Sequence, residues 1–294
     1  MSNPTWHILG FGVIGQLLHA GLRHAEQDCL VIPKGNAPLP TQHTVCYQDR
    51  SKTFDIQGFR AGRASIERLI VCTKSYDVVS AVTSIKENLS ETTEIIIMVN
   101  GLINSSDIAA IAAAKVYWAL TTEGGYRTEP CITVHGGNGI TRLGSGIEPA
   151  WFKDWQRGLP NSHWQTDITP FRWEKLGVNA VINPLTALHQ CHNGELASDA
   201  LRATTQGSID ETVSILGAMG LQELAQRFNQ TCWEVICNTA ANRSSMLQDV
   251  SLQRRTEISM ILPPLLRRGA EHEVATPQLC ATLAAFTARY PELI

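Results

Sequence analysis

Up to about Gln165 the chain alternates short apolar or β-branched runs with helical periodicity, and after Pro170 long helical patterns take over. Residues 7–10, 29–33, 68–73, 94–99 and 116–121 predict strands. Between the first two, Ile14, Leu17, Leu18, Gly21, Leu22 and Ala25 recur at the spacing of one helical face. Residues 78–89 and 106–114 predict further helices, and 131–143, with Gly136, Gly137 and Gly139, a late antiparallel hairpin. Strands that alternate with helices imply a mainly parallel sheet covered on both faces.

Beyond the change of texture, residues 171–189, 200–219, 221–237 and 245–254 predict helices. Thr276-Pro277 reads as a cap followed by proline in the first helical position, opening a last helix that reaches Tyr290. Pro184 is expected to kink or locally break the helix it lies in. The expected fold is therefore an α/β Rossmann-type N-terminal domain, residues 1–167, followed by an all-α C-terminal domain, residues 168–294.

Composition narrows the partners. With 294 residues and a formal net charge of −3, there is length for two cores and no basic stripe for nucleic acid. Apolar runs such as 95–99 are far shorter than a membrane-spanning helix requires, and Met1 to Trp6 does not resemble a secretory signal. Eight cysteines lie singly, mostly within apolar runs, a usage that suits a reducing cytoplasm. His189-Gln190-Cys191-His192 lacks the organised ligands of a zinc site and reads as a helix end, so no metal is expected.

Gly10-Phe11-Gly12-Val13-Ile14-Gly15 is a G-x-G-x-x-G directly after a predicted strand and opening a predicted helix. That context supplies a tight turn, bare backbone against a pyrophosphate, and a helix N-terminus for the anion. At the end of the second strand an NAD site would carry an acid for the ribose hydroxyl. This chain has Val31-Ile32-Pro33-Lys34-Gly35-Asn36, and Lys34 can meet a 2′-phosphate, which favours NADP. Lys74 and Asn100 each follow a strand, where an open α/β sheet binds its ligands.

Lys175, Asn179 and Asn183 fall at i, i+4 and i+8 on one helical face, flanked by apolar residues. A lysine that donates to a carbonyl oxygen, with two amides to orient the rest, would suit a small keto acid. The same spacing also describes a polar stripe on an exposed helix. Ser245, Asp249 and Glu257 read, by pattern alone, as caps and exposed polar positions.

These residues together resemble the ketopantoate reductase (2-dehydropantoate 2-reductase) family over most of both domains. The resemblance rests on residues 10–15, Val99-Asn100-Gly101, 173–188, Cys191-His192-Asn193-Gly194-Glu195-Leu196 and 242–257, and is most specific around Lys175 and Ser245. It implies NADPH-dependent reduction of 2-dehydropantoate to pantoate, a step of pantothenate synthesis, with Lys175 as proton donor. It also implies that Asn100, Asn179, Asn183, Asn193 and Ser245 hold the substrate. The glycine turn, Lys34, Lys74, Asn100, Gly125 and Glu257 would serve the cofactor. A small 2-oxo acid is then the expected partner, with a homodimer as a candidate assembly. Reduction of another small oxo acid and NADP(H) sensing without turnover stand as the alternatives. The chain departs from the family pattern at Ser259 and Pro263-Pro264, where the helix should alter locally, and at Glu123 near the cofactor loop.

Overall fold

The computed structural model describes residues 5–33, 35, 38–60, 65–112, 114–137 and 139–294, without the side chain of Ser105. The chain forms two compact units, Met1–Val99 with Ile103–Ile168, and Asn100–Leu102 with Thr169–Ile294. Asn100–Leu102 thus packs with the helical unit, whereas the expected division at residue 167 left it in the first domain.

The first unit runs β1 (Trp6–Leu9), α1 (Val13–His24), β2 (Cys29–Ile32), β3 (Gln42–Cys46), β4 (Ser51–Asp55), β5 (Gln57–Gly58) and β6 (Arg68–Val71). It continues with α2 (Val78–Thr83), β7 (Glu94–Ile97), α3 (Ser105–Ala109), β8 (Lys115–Thr121), β9 (Gly125–Glu129) and β10 (Ile132–His135). It closes with β11 (Thr141–Gly144), α4 (Phe152–Gly158) and β12 (Ser162–Gln165). An eight-stranded sheet in the order β12-β11-β8-β7-β6-β1-β2-β5 is parallel except where β11 meets β8. Its central strands are buried on both faces, which explains runs such as Ile95-Ile96-Ile97 that show no alternation.

A second sheet, β4-β3-β10-β9, was not legible in the pattern. The expected hairpin over 131–143 is corrected by it. β10 pairs antiparallel with β9 and parallel with β3, while β11 leaves for the large sheet. Two short runs joined by glycines look alike whether they pair with each other or with distant strands. α1 serves both sheets. Leu18 and Leu22 pack with Trp6, Ile8 and Trp155, and Ala20 packs with Val45 and Phe54.

The helix expected over 78–89 ends at Thr83, and a short turn Lys86–Asn88 follows. There the hydroxyls of Ser80, Thr83 and Ser84 donate to the carbonyls of Asp77, Val79 and Ala81, competing with regular helix.

The second unit contains α5 (Thr169–His189), α6 (Arg202–Ala218), α7 (Gln222–Asn238), α8 (Ser245–Ser251), α9 (Ile258–Glu271) and α10 (Pro277–Arg289). Its core joins Leu176, Val181 and Leu185 of α5 to Phe228, Ile261, Leu265 and Phe286. α5 runs unbroken across Pro184, against the expected local break. Buried packing on both sides outweighs the one hydrogen bond proline removes, and the Thr186 hydroxyl lies 2.8 Å from Ile182 O within that turn. α10 does begin at Pro277, but Thr276 gives no side-chain cap. The Glu211 carboxylate, from α6, instead accepts the N–H groups of Gln278 and Leu279 at 2.6 and 2.8 Å. Among the described residues no helix is long and apolar enough to cross a membrane. All eight cysteines are free thiols.

Candidate functional site

In the first unit the strand order reverses at β1, which lies between β2 and β6. Loops at such a reversal open a crevice at the carboxyl ends of the strands. The G-x-G-x-x-G occupies the loop after β1, and its glycines are required for different reasons. Gly10 has φ +106°, and a Cβ there would lie 2.7 Å from the backbone of Cys72 and Thr73. A Cβ on Gly15 would fall 2.1 Å from Gly10 O, so strand and helix meet backbone to backbone. Gly12, by contrast, has nothing within 4 Å of its missing Cβ. Open space over bare backbone, at the start of a 12-residue helix with no acid in its first turn, fits an anionic pyrophosphate.

Other parts of this unit hold the turn. The Cys72 thiol donates to Gly10 O at 2.9 Å. Gln16, buried in α1, donates to Phe11 O and Pro130 O at 3.4 and 3.2 Å and accepts from the Thr133 hydroxyl at 2.6 Å. Gln16 went unnoticed in the sequence, although a polar residue inside an apolar helical stretch was the available signal. A Cβ on Gly125 would lie 3.2 Å from Val13 Cγ1, so this glycine borders the turn. Glu123 links two segments of the same loop region, with Oε2 2.5 Å from His135 Nε2 and Oε1 accepting from Gly139 N at 2.9 Å. Lys74 directly follows the Cys72-Thr73 backbone that abuts Gly10 and caps a short helical turn, Ser75–Asp77. Lys34 lies outside the described residues.

In the second unit α5 carries Lys175, Asn179 and Asn183. Lys175 is largely withdrawn from solvent, and burial pulls its pKa down to about 8, a shift the nearby charge of Glu257 partly opposes. Glu257 is itself buried and stands at the N-terminus of α9. Its Oε2 accepts the side-chain amide of Asn100 at 3.4 Å. Glu257, by pattern a cap or exposed polar position, is buried beside the lysine.

Asn183 is buried and Asn179 half-buried, and neither side-chain amide makes a hydrogen bond among the described residues. Ser244 caps α8 by accepting Leu247 N–H at 3.1 Å, and its Oγ lies 2.7 Å from that of Thr186 on α5. This contact sets Ser245, whose own side chain is exposed, at the first turn of α8 beside α5. Asn193 is buried in the short turn Asn193–Ala197, which hangs on the loop before α8 through Asn193 N to Asn242 O at 3.0 Å. Its amide donates to Thr239 at 2.9 Å, while its Oδ1 is buried without a hydrogen-bond partner. An unmet buried acceptor is costly and suits a ligand donor. Ser244 and Thr186 were missed in the sequence because their roles depend on each other across 58 residues.

The unit thus carries Lys175 with its depressed pKa, two unengaged amides, an unmet acceptor and a hydroxyl. This set can bind a small polar molecule, hold a carbonyl oxygen and pass it a proton.

Comparison with known proteins adds the lineage. The family model for ketopantoate reductase PanE/ApbA matches residues 6–147, and that for its C-terminal domain matches residues 167–289. The 2-dehydropantoate 2-reductase of Salmonella typhimurium is 32% identical over 282 residues, covering 92% of this chain and 90% of that protein. The Vibrio cholerae enzyme of the same name is 32% identical over 71% of this chain and 73% of its own length. The solved 2-dehydropantoate 2-reductase of Geobacter metallireducens superposes with a TM-score of 0.87 at 22% identity, covering 97% of this chain and 99% of that one. A D-mandelate dehydrogenase solved with NADH and anilino(oxo)acetate shares the fold, with a TM-score of 0.86 at 18% identity over 98% of this chain and 99% of the other. Two matched family models and relatives at this identity place the chain in the ketopantoate reductase family.

Proposed function

We propose that this chain reduces 2-dehydropantoate to pantoate with NADPH, using Lys175 as the proton donor. The observation that carries the reading is the state of Lys175: an ammonium with its pKa brought down to about 8, on the helix face it shares with Asn179 and Asn183. Such a group is protonated at neutral pH yet gives up its proton readily.

When bound, the nicotinamide supplies the hydride that is added to the ketone carbon. As that bond forms, the carbonyl π electrons move to oxygen and an alkoxide develops. The Lys175 ammonium meets this charge and transfers one proton to the oxygen, leaving a neutral amine that regains its proton from water. General acid catalysis of this kind is worth roughly 10²–10⁴-fold, and a cation placed in advance adds electrostatic stabilisation. Glu257 keeps the lysine protonated against the desolvation that drives its pKa down. Asn179, Asn183 and Ser245 orient the keto acid, and the unmet Oδ1 of Asn193 accepts from the substrate's 4-hydroxyl.

For the cofactor, Gly10, Phe11, Gly12, Val13, Ile14 and Gly15 would hold the pyrophosphate, with Lys74, Asn100, Gly125 and Glu257 as further contacts. Preference for NADPH rests on Lys34 and the absence of an acid after the second strand. A reducing cytoplasm suits the eight free thiols.

The test is an NADPH-consumption assay with 2-dehydropantoate, repeated with NADH and with a panel of other 2-oxo acids. Turnover with 2-dehydropantoate and NADPH, largely lost in Lys175→Ala with cofactor binding intact, is the expected result. Preference for another acid would displace the substrate assignment, and near-normal turnover by the variant would remove Lys175 from the chemistry.

A further inference from the structure

Pro263 and Pro264 both lie inside α9, where each removes a backbone N–H. In an α-helix the N–H of residue i reaches the carbonyl of residue i−4. The donors lost at positions 263 and 264 would have served Ser259 O and Met260 O. The Met260 carbonyl is instead met from outside the helix, by the backbone N–H of Leu102 at 3.1 Å.

Two further observations place the same short segment on α9. Gly101 has φ +86°, and a Cβ there would lie 2.6 Å from Met260 O and 2.9 Å from Met260 Cβ. Asn100 donates its side-chain amide to Glu257 at 3.4 Å, one turn earlier on the same helix. The segment therefore holds α9 at two points, and one is a carbonyl that an ordinary helical residue at 264 would claim.

We infer that Pro264 is a positioning residue: by withholding a helical N–H it reserves the Met260 carbonyl for Leu102, and so presents Asn100 to the carboxylate of Glu257. Its effect on catalysis passes through Asn100 and Glu257 and rests on the function proposed above. Its effect on the Leu102 amide does not. Alanine is far better than proline inside a helix, so Pro264→Ala separates a loss of positioning from a loss of helix stability.

The experiment compares Pro264→Ala with Pro263→Ala, reading hydrogen exchange at the Leu102 amide, thermal stability and kcat/KM with 2-dehydropantoate. In the wild type the Leu102 amide should be protected. Pro264→Ala should speed its exchange by roughly three- to tenfold, the scale of one weakened hydrogen bond. It should also lower kcat/KM while leaving Tm unchanged or raised. Pro263→Ala, which restores a donor to Ser259 O only, should leave Leu102 exchange as it was. In an Asn100→Ala background, Pro264→Ala should cost no further activity. An unprotected Leu102 amide in the wild type, equal effects of the two proline variants on it, or activity losses that multiply with Asn100→Ala would each overturn the inference. Absence of any turnover by the wild type would count against the proposed function alone, since the exchange measurement still tests the clamp.

Discussion

The hydroxyl oxygens of Thr186 and Ser244 lie 2.7 Å apart in the interior of the helical unit, where Ser244 also caps α8 through Leu247 N–H. One side chain thus ends a loop, starts a helix and fixes that helix on α5. Ser244→Ala should destabilise the protein by about 1 kcal/mol for the lost cap, and by more once the buried Thr186 hydroxyl loses its neighbour. Urea denaturation measures the sum. Because Ser245 takes its place from this contact, KM for the keto acid should rise more than kcat falls.

With Lys175 as the proton donor proposed above, the reaction should depend on pH. Burial lowers its pKa to about 8 and the charge of Glu257 raises it, so a step that consumes its proton should slow as pH climbs through 8. Glu257→Gln removes the raising charge, and the alkaline limb of the kcat/KM profile should move to lower pH. A limb that stays in place would separate the two residues electrostatically.

The same lowered pKa bears on stability. In the unfolded chain the lysine binds its proton up to the usual lysine range, whereas the folded chain releases it near 8. Between those values the unfolded state holds more protons, so this group's cost to folding is full below pH 8 and fades as pH rises. Lys175→Met should abolish turnover and raise Tm at neutral pH, with a smaller gain at pH 10. Equal Tm values for variant and wild type at pH 7 would contradict the burial cost assigned to the ammonium.

The glycines of the turn should separate by variant. Gly15→Ala must push a Cβ into Gly10 O and is expected to destabilise the first unit. Gly12→Ala meets no protein atom within 4 Å, so it should keep the wild-type Tm while weakening NADPH binding. Calorimetric titration checks the second outcome and thermal melts the first. Loss of stability in both variants would show that Gly12 is needed for folding and not kept clear for a ligand.

His19 and His43 are buried with their ring nitrogens 2.9 Å apart, and both pack edge-on against Phe11 of the turn. Burial lowers their pKa values to about 3 and about 4, with the neighbouring charge of His43 adding to the shift at His19. The unfolded imidazoles protonate near 6.5, so stability is full above that value and falls as pH drops toward 4. Tm should decline across this window, and the decline should be shallower in His19→Leu/His43→Leu.

Most of the large sheet was legible because a parallel strand buried on both faces is a local, continuous apolar run. Residues 29–33 and 94–99 illustrate it, becoming strands over Cys29–Ile32 and Glu94–Ile97. The small sheet escaped because Gln42–Cys46 is buried on one face only, Gly125–Glu129 is almost wholly exposed, and both mix polar with apolar residues. The lysine–asparagine face was visible in spacing alone, but spacing could not separate a buried ladder from a solvated stripe.

Legible along the chain is what depends on neighbours a few residues away: the glycine turn between strand and helix, the change from alternating to helical texture, and the periodicity that puts Lys175, Asn179 and Asn183 on one face. Which partners those groups meet is set by the packing of separate elements. Glu257 comes beside Lys175, Asn100 and Leu102 join the helical unit, Glu211 caps α10 in place of Thr276, and β11 parts from β10. Each of these depends on groups brought together from separate elements, by close packing and by the need of buried polar atoms for partners, and neither requirement leaves a local period to read.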